Sequence, residues 1–189
     1  MTAKLHNVVT SEKECRLSND EPAVYVGTYG KYNDGSLFGS WIRPLDYSDK
    51  ESFMEACQEL HRDEEDPELM FQDWQDIPER LVGECWVSEE LWEWGALDDW
   101  EKELLAAYLD VVGDNLEKES ISSLMEYARD TYVGHGNSFS DVVYDFCVDT
   151  GNVDQIPEEF TNYIDWEQYS ADNFLEHYFD GSYWVFFNN

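Results

Sequence analysis

Residues 23–42 read AVYVGTYGKYNDGSLFGSWI, and how this stretch folds decides the architecture of everything after it. AVYVGTY (23–29) alternates in strand fashion, Asn33-Asp34-Gly35 carries a turn signal, and LFGSWI (37–42) reads as a returning strand, so the spacing predicts a hairpin. Just downstream, Ser48-Asp49-Lys50-Glu51 fits a capping box with Ser48 as the cap. Phe53, Met54, Cys57, Leu60 and His61 then recur at helical spacing, so the helix that starts there lays one face on the hairpin. ELMFQDW (68–74), entered after Pro67, reads as a third strand. The expectation is a small β-β-α-β unit over 22–77, preceded by a loose polar arm, 1–21.

From Ile77 the pattern turns helical. Ser88 is placed to cap a short helix bearing Leu91, Trp92 and Trp94. Asp98 or Asp99 caps a longer one with Trp100, Leu104, Leu105, Tyr108, Leu109 and Val112 at helical intervals, closed by Gly113. Residues 120–130 form a further helix with Leu124, Met125 and Ala128 inward. GHGN (134–137) has turn composition. Residues 140–150 predict a helix with Val142, Val143, Phe146 and Cys147 inside and Gly151 as its stop. Pro157 suits the first turn of a short helix, 167–179 (EQYSADNFLEHYF) reads as another, and SYWVFF (182–187) as a closing strand. The fold class expected is α+β: an elongated chain of small abutting subdomains, with a helical acidic one over 78–130 and an α+β one over 131–189.

Charge dominates the composition. The chain of 189 residues holds 43 Asp and Glu against 11 Lys and Arg, a formal net charge of −32, yet it is 42% hydrophobic and 16% aromatic. That aromatic content separates it from acidic disordered tails. Residues 61–189 carry 33 of the acids and 5 of the bases. Such a surplus destabilises a compact chain by self-repulsion, which points to a partner of opposite sign. The stretch DEEDPELMFQDWQD (63–76) shows the conflict locally, with seven carboxylates around Leu69, Met70, Phe71 and Trp74.

Several classes are disfavoured. Phosphate contacts need a basic stripe, so nucleic-acid binding is excluded. Cys15, Cys57, Cys85 and Cys147 form no CxxC pair, and His6, His61, His135 and His177 form no HExxH pair, so no metal site or cofactor is expected. DTGNVDQIPEEF, from Asp149, fails the EF-hand spacing. No phosphate-binding glycine motif or GxSxG elbow occurs. No apolar run approaches a membrane span and the N-terminus lacks a signal-peptide core, so a cytoplasmic protein without a membrane partner is expected.

What remains is the charge itself. B-DNA carries one charge per 1.7 Å of axis, so 32 charges at that density cover about 54 Å, or on the order of 16 base pairs. Acids three or four apart on a helix form lines on a rigid rod. The acidic surface expected to present this pattern comprises Asp63, Glu64, Glu65, Asp66, Glu68, Asp73, Asp76, Glu89, Glu90, Glu93, Asp98, Asp99, Glu101, Glu103, Asp110, Asp114, Glu117 and Glu119.

VYVGTYGKYNDGSLFGSWI, the helix start at Asp46-Tyr47-Ser48-Asp49 and ELHRDEEDPELMFQDWQDIP together resemble the N-terminal region of the ArdA family of antirestriction proteins. Glu126-Tyr127-Ala128-Arg129-Asp130 with Tyr132 and Gly134, and IPEEFTNYIDWEQY, resemble its later segments in the same order, over about residues 22–187. The resemblance implies a non-enzymatic DNA mimic, carried on mobile elements, that occupies the DNA-binding groove of Type I restriction–modification enzymes. It also implies an elongated, three-subdomain homodimer. The segment matching the family's antirestriction motif, Val148–Tyr163, lies by resemblance at the dimer contact, with Val153, Ile156, Phe160 and Tyr163 as its apolar residues. The same four residues also suit a core.

Three other readings compete. Halophilic adaptation predicts acids spread evenly, against the balance of residues 1–60. An acidic adaptor or chaperone for basic, histone-like clients differs only in its partner. A carboxylate-dependent hydrolase requires a pocket with desolvated acids rather than a charged ridge.

Overall fold

The computed structural model describes residues 21–113 and 119–188. Helices and small antiparallel sheets mix along the chain, an α+β protein. The residues group into two compact units, the first ending at Trp92 and the second spanning Glu93–Asn189.

In the first unit β1 (Ala23–Thr28), α1 (Tyr29–Asn33), β2 (Ser40–Ile42), α2 (Lys50–Leu60) and β3 (Leu69–Gln75) build a sheet of order β2-β1-β3. The expected pairing of the first two strands is present, antiparallel, with Val24 opposite Ile42 and Val26 opposite Ser40. The connection differs from the expected tight turn at Asn33-Asp34-Gly35. Thr28 ends β1 and its hydroxyl accepts from the Lys31 backbone N–H at 3.2 Å, which starts the helical turn α1. A capping hydroxyl offers the backbone an alternative to the ladder, so the chain rejoins the sheet only at Ser40 and leaves Leu37 and Phe38 exposed.

Helix α2 begins one residue later than expected. Asp49, not Ser48, is the cap, accepting from Ser52 N at 2.8 Å while Ser52 Oγ accepts from Asp49 N at 3.3 Å. A carboxylate suits the positive end of a helix, and the backbone and side-chain hydrogen bonds from Ser52 hold Asp49 below the usual carboxylate range. Phe53, Cys57 and His61 are fully buried against the sheet, and Phe53 stacks on Phe71 at 6.2 Å. Burial of this kind contributes about 1.5–3 kcal/mol per large side chain. It also pushes the Cys57 thiol up to about 12. A two-residue-strand hairpin, β4 (Val82–Gly83) and β5 (Trp86–Val87), follows in a stretch read as helical, before α3 (Glu90–Gly95), where Ser88 Oγ accepts from Glu90 N at 3.2 Å.

The second unit contains α4 (Asp99–Val112), α5 (Ile121–Thr131), β6 (Tyr132–Gly136), α6 (Phe139–Asp149), α7 (Glu158–Thr161), α8 (Trp166–Asn173), β7 (Phe174–Phe179) and β8 (Ser182–Phe187). Asp98 caps α4 in a capping box with Glu101, and Gly113 and Gly151, at φ +74° and +73°, close α4 and α6. Two expectations are corrected. Residues 167–179 are not one helix: the chain leaves α8 at Asn173, and FLEHYF pairs with SYWVFF through an Asp180-Gly181 turn at φ +47° and +82°. GHGN is mostly strand, because 132–136 pairs with β8. Cβ atoms at Gly134 and Gly136 would meet Val142 Cγ atoms at 3.0 and 2.9 Å, so these glycines let α6 approach the sheet closely.

The sheet order is β6-β8-β7, which makes β8 central. Val185 faces a core with Val143, Cys147 and Phe174. Trp184 and Phe186, on the opposite face, pack on Trp100 and Tyr108 of α4. All three consecutive residues, Trp184, Val185 and Phe186, are therefore buried, as in a strand covered on both sides. Among the described residues no helix is long and apolar enough to cross a membrane.

Candidate functional site

The acidic stretch 63–76 joins two roles. Asp63 and Glu64 close a cluster around Lys31, whose Nζ donates to Asp63 Oδ1 at 2.8 Å and lies 3.2 Å from Glu64 Oε1. Thr28 Oγ1 donates to the same Glu64 oxygen at 2.8 Å. His61, fully buried, donates from Nε2 to the Val26 carbonyl at 3.2 Å; this leaves Nδ1 to accept from Lys31 Nζ at 3.0 Å. The bond from Lys31 holds Asp63 below the usual carboxylate range. For Lys31, desolvation acts downward, but the bonds to Asp63 and Glu64 outweigh it and raise its pKa. His61, Asp63 and Glu64 have ligand atoms within 4.8 Å of one another, the spacing of a metal site, and the Lys31 ammonium supplies positive charge to that cluster.

The remaining carboxylates point outward. Glu65, Asp66, Glu68, Asp73, Asp76, Glu89, Glu93, Asp98, Asp99, Glu103 and Asp110 are exposed, whereas Glu64, Glu90, Glu101 and Glu119 are half-buried. Glu90 faces Arg80 at 3.9 Å, Glu101 pairs with Arg129, and Asp110 Oδ2 lies 2.6 Å from His177 Nδ1. Asp114 and Glu117, like the arm over residues 1–20, lie outside the described residues. No described carboxylate is buried, so none occupies the desolvated setting that lifts a carboxyl into a general acid.

The structure adds acids that the sequence reading left out. On α2, Glu51, Glu55 and Glu59 are exposed at four-residue spacing, and on α6 Asp141, Asp145 and Asp149 repeat the pattern; on α4, Asp99 and Glu103, which the expected set already contains, do so too. Each line runs along a solvent face while the other face carries the core: Phe53 and Cys57 on α2, Leu104 and Tyr108 on α4, Val143 and Cys147 on α6. The i, i+4 spacing was readable in the sequence. From Asp130 to the C-terminus there are 12 acids and no Lys or Arg. Like charges at i, i+4 destabilise a helix by about 0.2–0.5 kcal/mol per pair, so these five pairs cost about 1–2.5 kcal/mol together. The chain holds them against its own stability.

The residues expected at a dimer contact divide. Val153 and Ile156 are half-buried and line a cavity of about 230 Å³ with Cys147, Asn152, Ile164, Trp166 and Tyr169. Phe160 and Tyr163 are 56% and 85% exposed, and Val148 is exposed nearby in sequence.

The class these features define is a folded, acidic α+β protein whose carboxylate-lined helices cover small aromatic cores. The family model described as Antirestriction protein (ArdA) matches residues 24–184, most of the chain, and the chain belongs to that family. Comparison with curated proteins gave no match. Its role is therefore antirestriction, directed at restriction enzymes.

Proposed function

We propose that this antirestriction protein works without catalysis, by presenting DNA-like charge to the DNA-binding groove of Type I restriction–modification enzymes. The observation that supports this reading most is the set of exposed acidic lines on α2, α4 and α6. A line with one carboxylate per four residues has a charge every ~6 Å of helix axis, whereas one DNA strand has a phosphate every 3.4 Å. A single helix is thus too thinly charged to imitate a strand, and the lines act together with the acids of 63–119. The partner's basic groove, evolved for phosphates, gains the attraction and loses access to DNA.

We also place a contact between two copies at Val153, Ile156, Phe160 and Tyr163. The exposure of Phe160 and Tyr163, which lie in sequence between the cavity-lining Ile156 and Ile164, supports it, because isolated chains gain by covering such aromatic surface. Competition tests the main reading. Titrated into a purified Type I methyltransferase on labelled cognate DNA, the protein displaces DNA near stoichiometry, less well as salt rises. Absence of displacement from several Type I enzymes at low salt, with the protein folded, would refute it. Phe160→Asp converts the dimer to monomer by mass in solution; an unchanged dimer removes Phe160 from the contact.

A further inference from the structure

Not all the recognition surface is charge. Trp100 sits in the first turn of α4, between Asp99 and Glu101, and remains 40% exposed although the helical pattern assigns it to the core face. Its ring is held in place rather than loose: it meets Tyr132 edge-on at 5.8 Å and 82°, and Trp184 at 6.5 Å. Tyr132 and Trp184 pack on each other at 6.0 Å, and His135 stacks on Trp184 at 5.0 Å, so the indole rests on a braced aromatic layer. Glu103, exposed, is its i+3 neighbour on the same helix face, and Asp99 is the adjacent exposed residue.

This molecule already holds cations against its own rings, in one case beside a carboxylate. Lys31 Nζ lies 4.5 Å from the Phe38 ring centroid while donating to Asp63, and Lys102 Nζ lies 4.8 Å from the Trp94 ring. The bases of the second unit are accounted for elsewhere: Lys102 is on Trp94, Arg129 is paired with Glu101, and Lys118 lies outside the described residues. Charge complementarity therefore selects what comes to an exposed indole among these carboxylates. It is a cation from a partner, and an arginine above all, since guanidinium stacks on indole while bonding to carboxylates in its own plane.

We infer that Trp100 is an aromatic anchor for an arginine in the partner enzyme's DNA-binding groove, with Asp99 and Glu103 binding the edge of the same guanidinium. This rests on the function proposed above and adds to it a short-range contact that DNA phosphates do not offer. Two consequences separate it from bulk charge. Its loss lowers affinity at every salt concentration without changing the slope against salt, because no charge is removed; loss of a carboxylate changes the slope. Affinity also follows the ring, in the order Trp, Phe, Leu.

The test is the same displacement assay with the full-length chain and Trp100→Phe, Trp100→Leu and Asp99→Asn, each across a salt series and each with its melting temperature. Expected are a loss of about 2- to 30-fold for Trp100→Leu, a smaller loss for Trp100→Phe, unchanged salt slope for both, and a shallower slope for Asp99→Asn. Should Trp100→Leu melt low through lost packing on Tyr132 and Trp184, Trp100→Phe decides, since it retains a ring there. Wild-type displacement by Trp100→Phe and Trp100→Leu alike overturns the anchor and leaves the proposed function standing. No displacement by the wild-type chain removes the function and the anchor with it.

Discussion

Lys31 shows how one side chain can settle the fate of several others. Its ammonium satisfies buried His61 Nδ1, Asp63 and Glu64, and so turns two members of an acidic run into parts of the first unit's framework. Replacing it by Met leaves the His61 nitrogen without its donor, at a cost of about 1–3 kcal/mol, read as a lower urea midpoint at pH 7. The pH dependence has a definite sign. Asp63 is depressed in the folded state, so the stability its pairing contributes is present above the ordinary carboxylate value of about 3.9 and is lost as pH falls through the lower folded one. The difference between wild type and Lys31→Met therefore narrows on acidification below about pH 4; a constant difference down to pH 2 would show that the ion pair contributes nothing beyond the bond to His61. None of this was legible in the sequence, because Lys31 and Asp63 are 32 positions apart and only the crossing of β1 beside the end of α2 joins them.

Elements were more legible than their connections. Strand alternation, the Asp98 cap and the glycine stops after α4 and α6 located most helices and the first sheet, since each is a local signal with a local cause. Two Asp-Gly pairs, however, play opposite parts. Asp34-Gly35 carries a hairpin signal, but Thr28 diverts the backbone into α1 ahead of it; Asp180-Gly181, between two aromatic runs, is the two-residue hairpin turn, which a helix over 167–179 leaves without a first strand. Propensity within 167–179 does not reveal that Phe174 onward has β8 to pair with, since that partner is supplied by tertiary structure. The close approach of α6 to β6 was equally hidden, and it makes a prediction at this scale. Gly136→Ala places a Cβ 2.9 Å from a Val142 methyl, so the variant loses about 1–3 kcal/mol by overpacking. In a Val142→Ala background the added loss is much smaller, a coupling that a double-mutant cycle in denaturant measures. Additive losses would mean that the helix shifts freely and that the glycines are not there for spacing.

At the scale of the whole molecule, the proposed mimicry has one set of charges acting on folding and on binding with opposite signs. With a net charge of −32, the protein repels itself, and the acidic lines concentrate that repulsion at ~6 Å spacing. That spacing lies inside the Debye length of about 10 Å at 0.1 M salt and outside that of about 3 Å at 1 M. Raising salt from 0.05 to 1 M therefore raises the melting temperature by several degrees, on the scale of ~2–8 °C per kcal/mol, while it weakens the displacement of DNA. The same opposition is testable without salt on α6. Reversing Asp145 alone to Lys turns both of its i, i+4 contacts, with Asp141 and with Asp149, from repulsive to attractive. The variant should melt higher than wild type and inhibit less, because under the proposed mimicry the position that relieves the fold is also one that faces the partner. The Asp145 side chain is exposed, so weaker inhibition with higher melting has no explanation in lost packing. A variant that melted higher and inhibited as well as wild type would show the α6 line to be surplus charge and return the function to the acids of the earlier segments. A variant that melted lower would mean that repulsion along α6 is not what limits its stability.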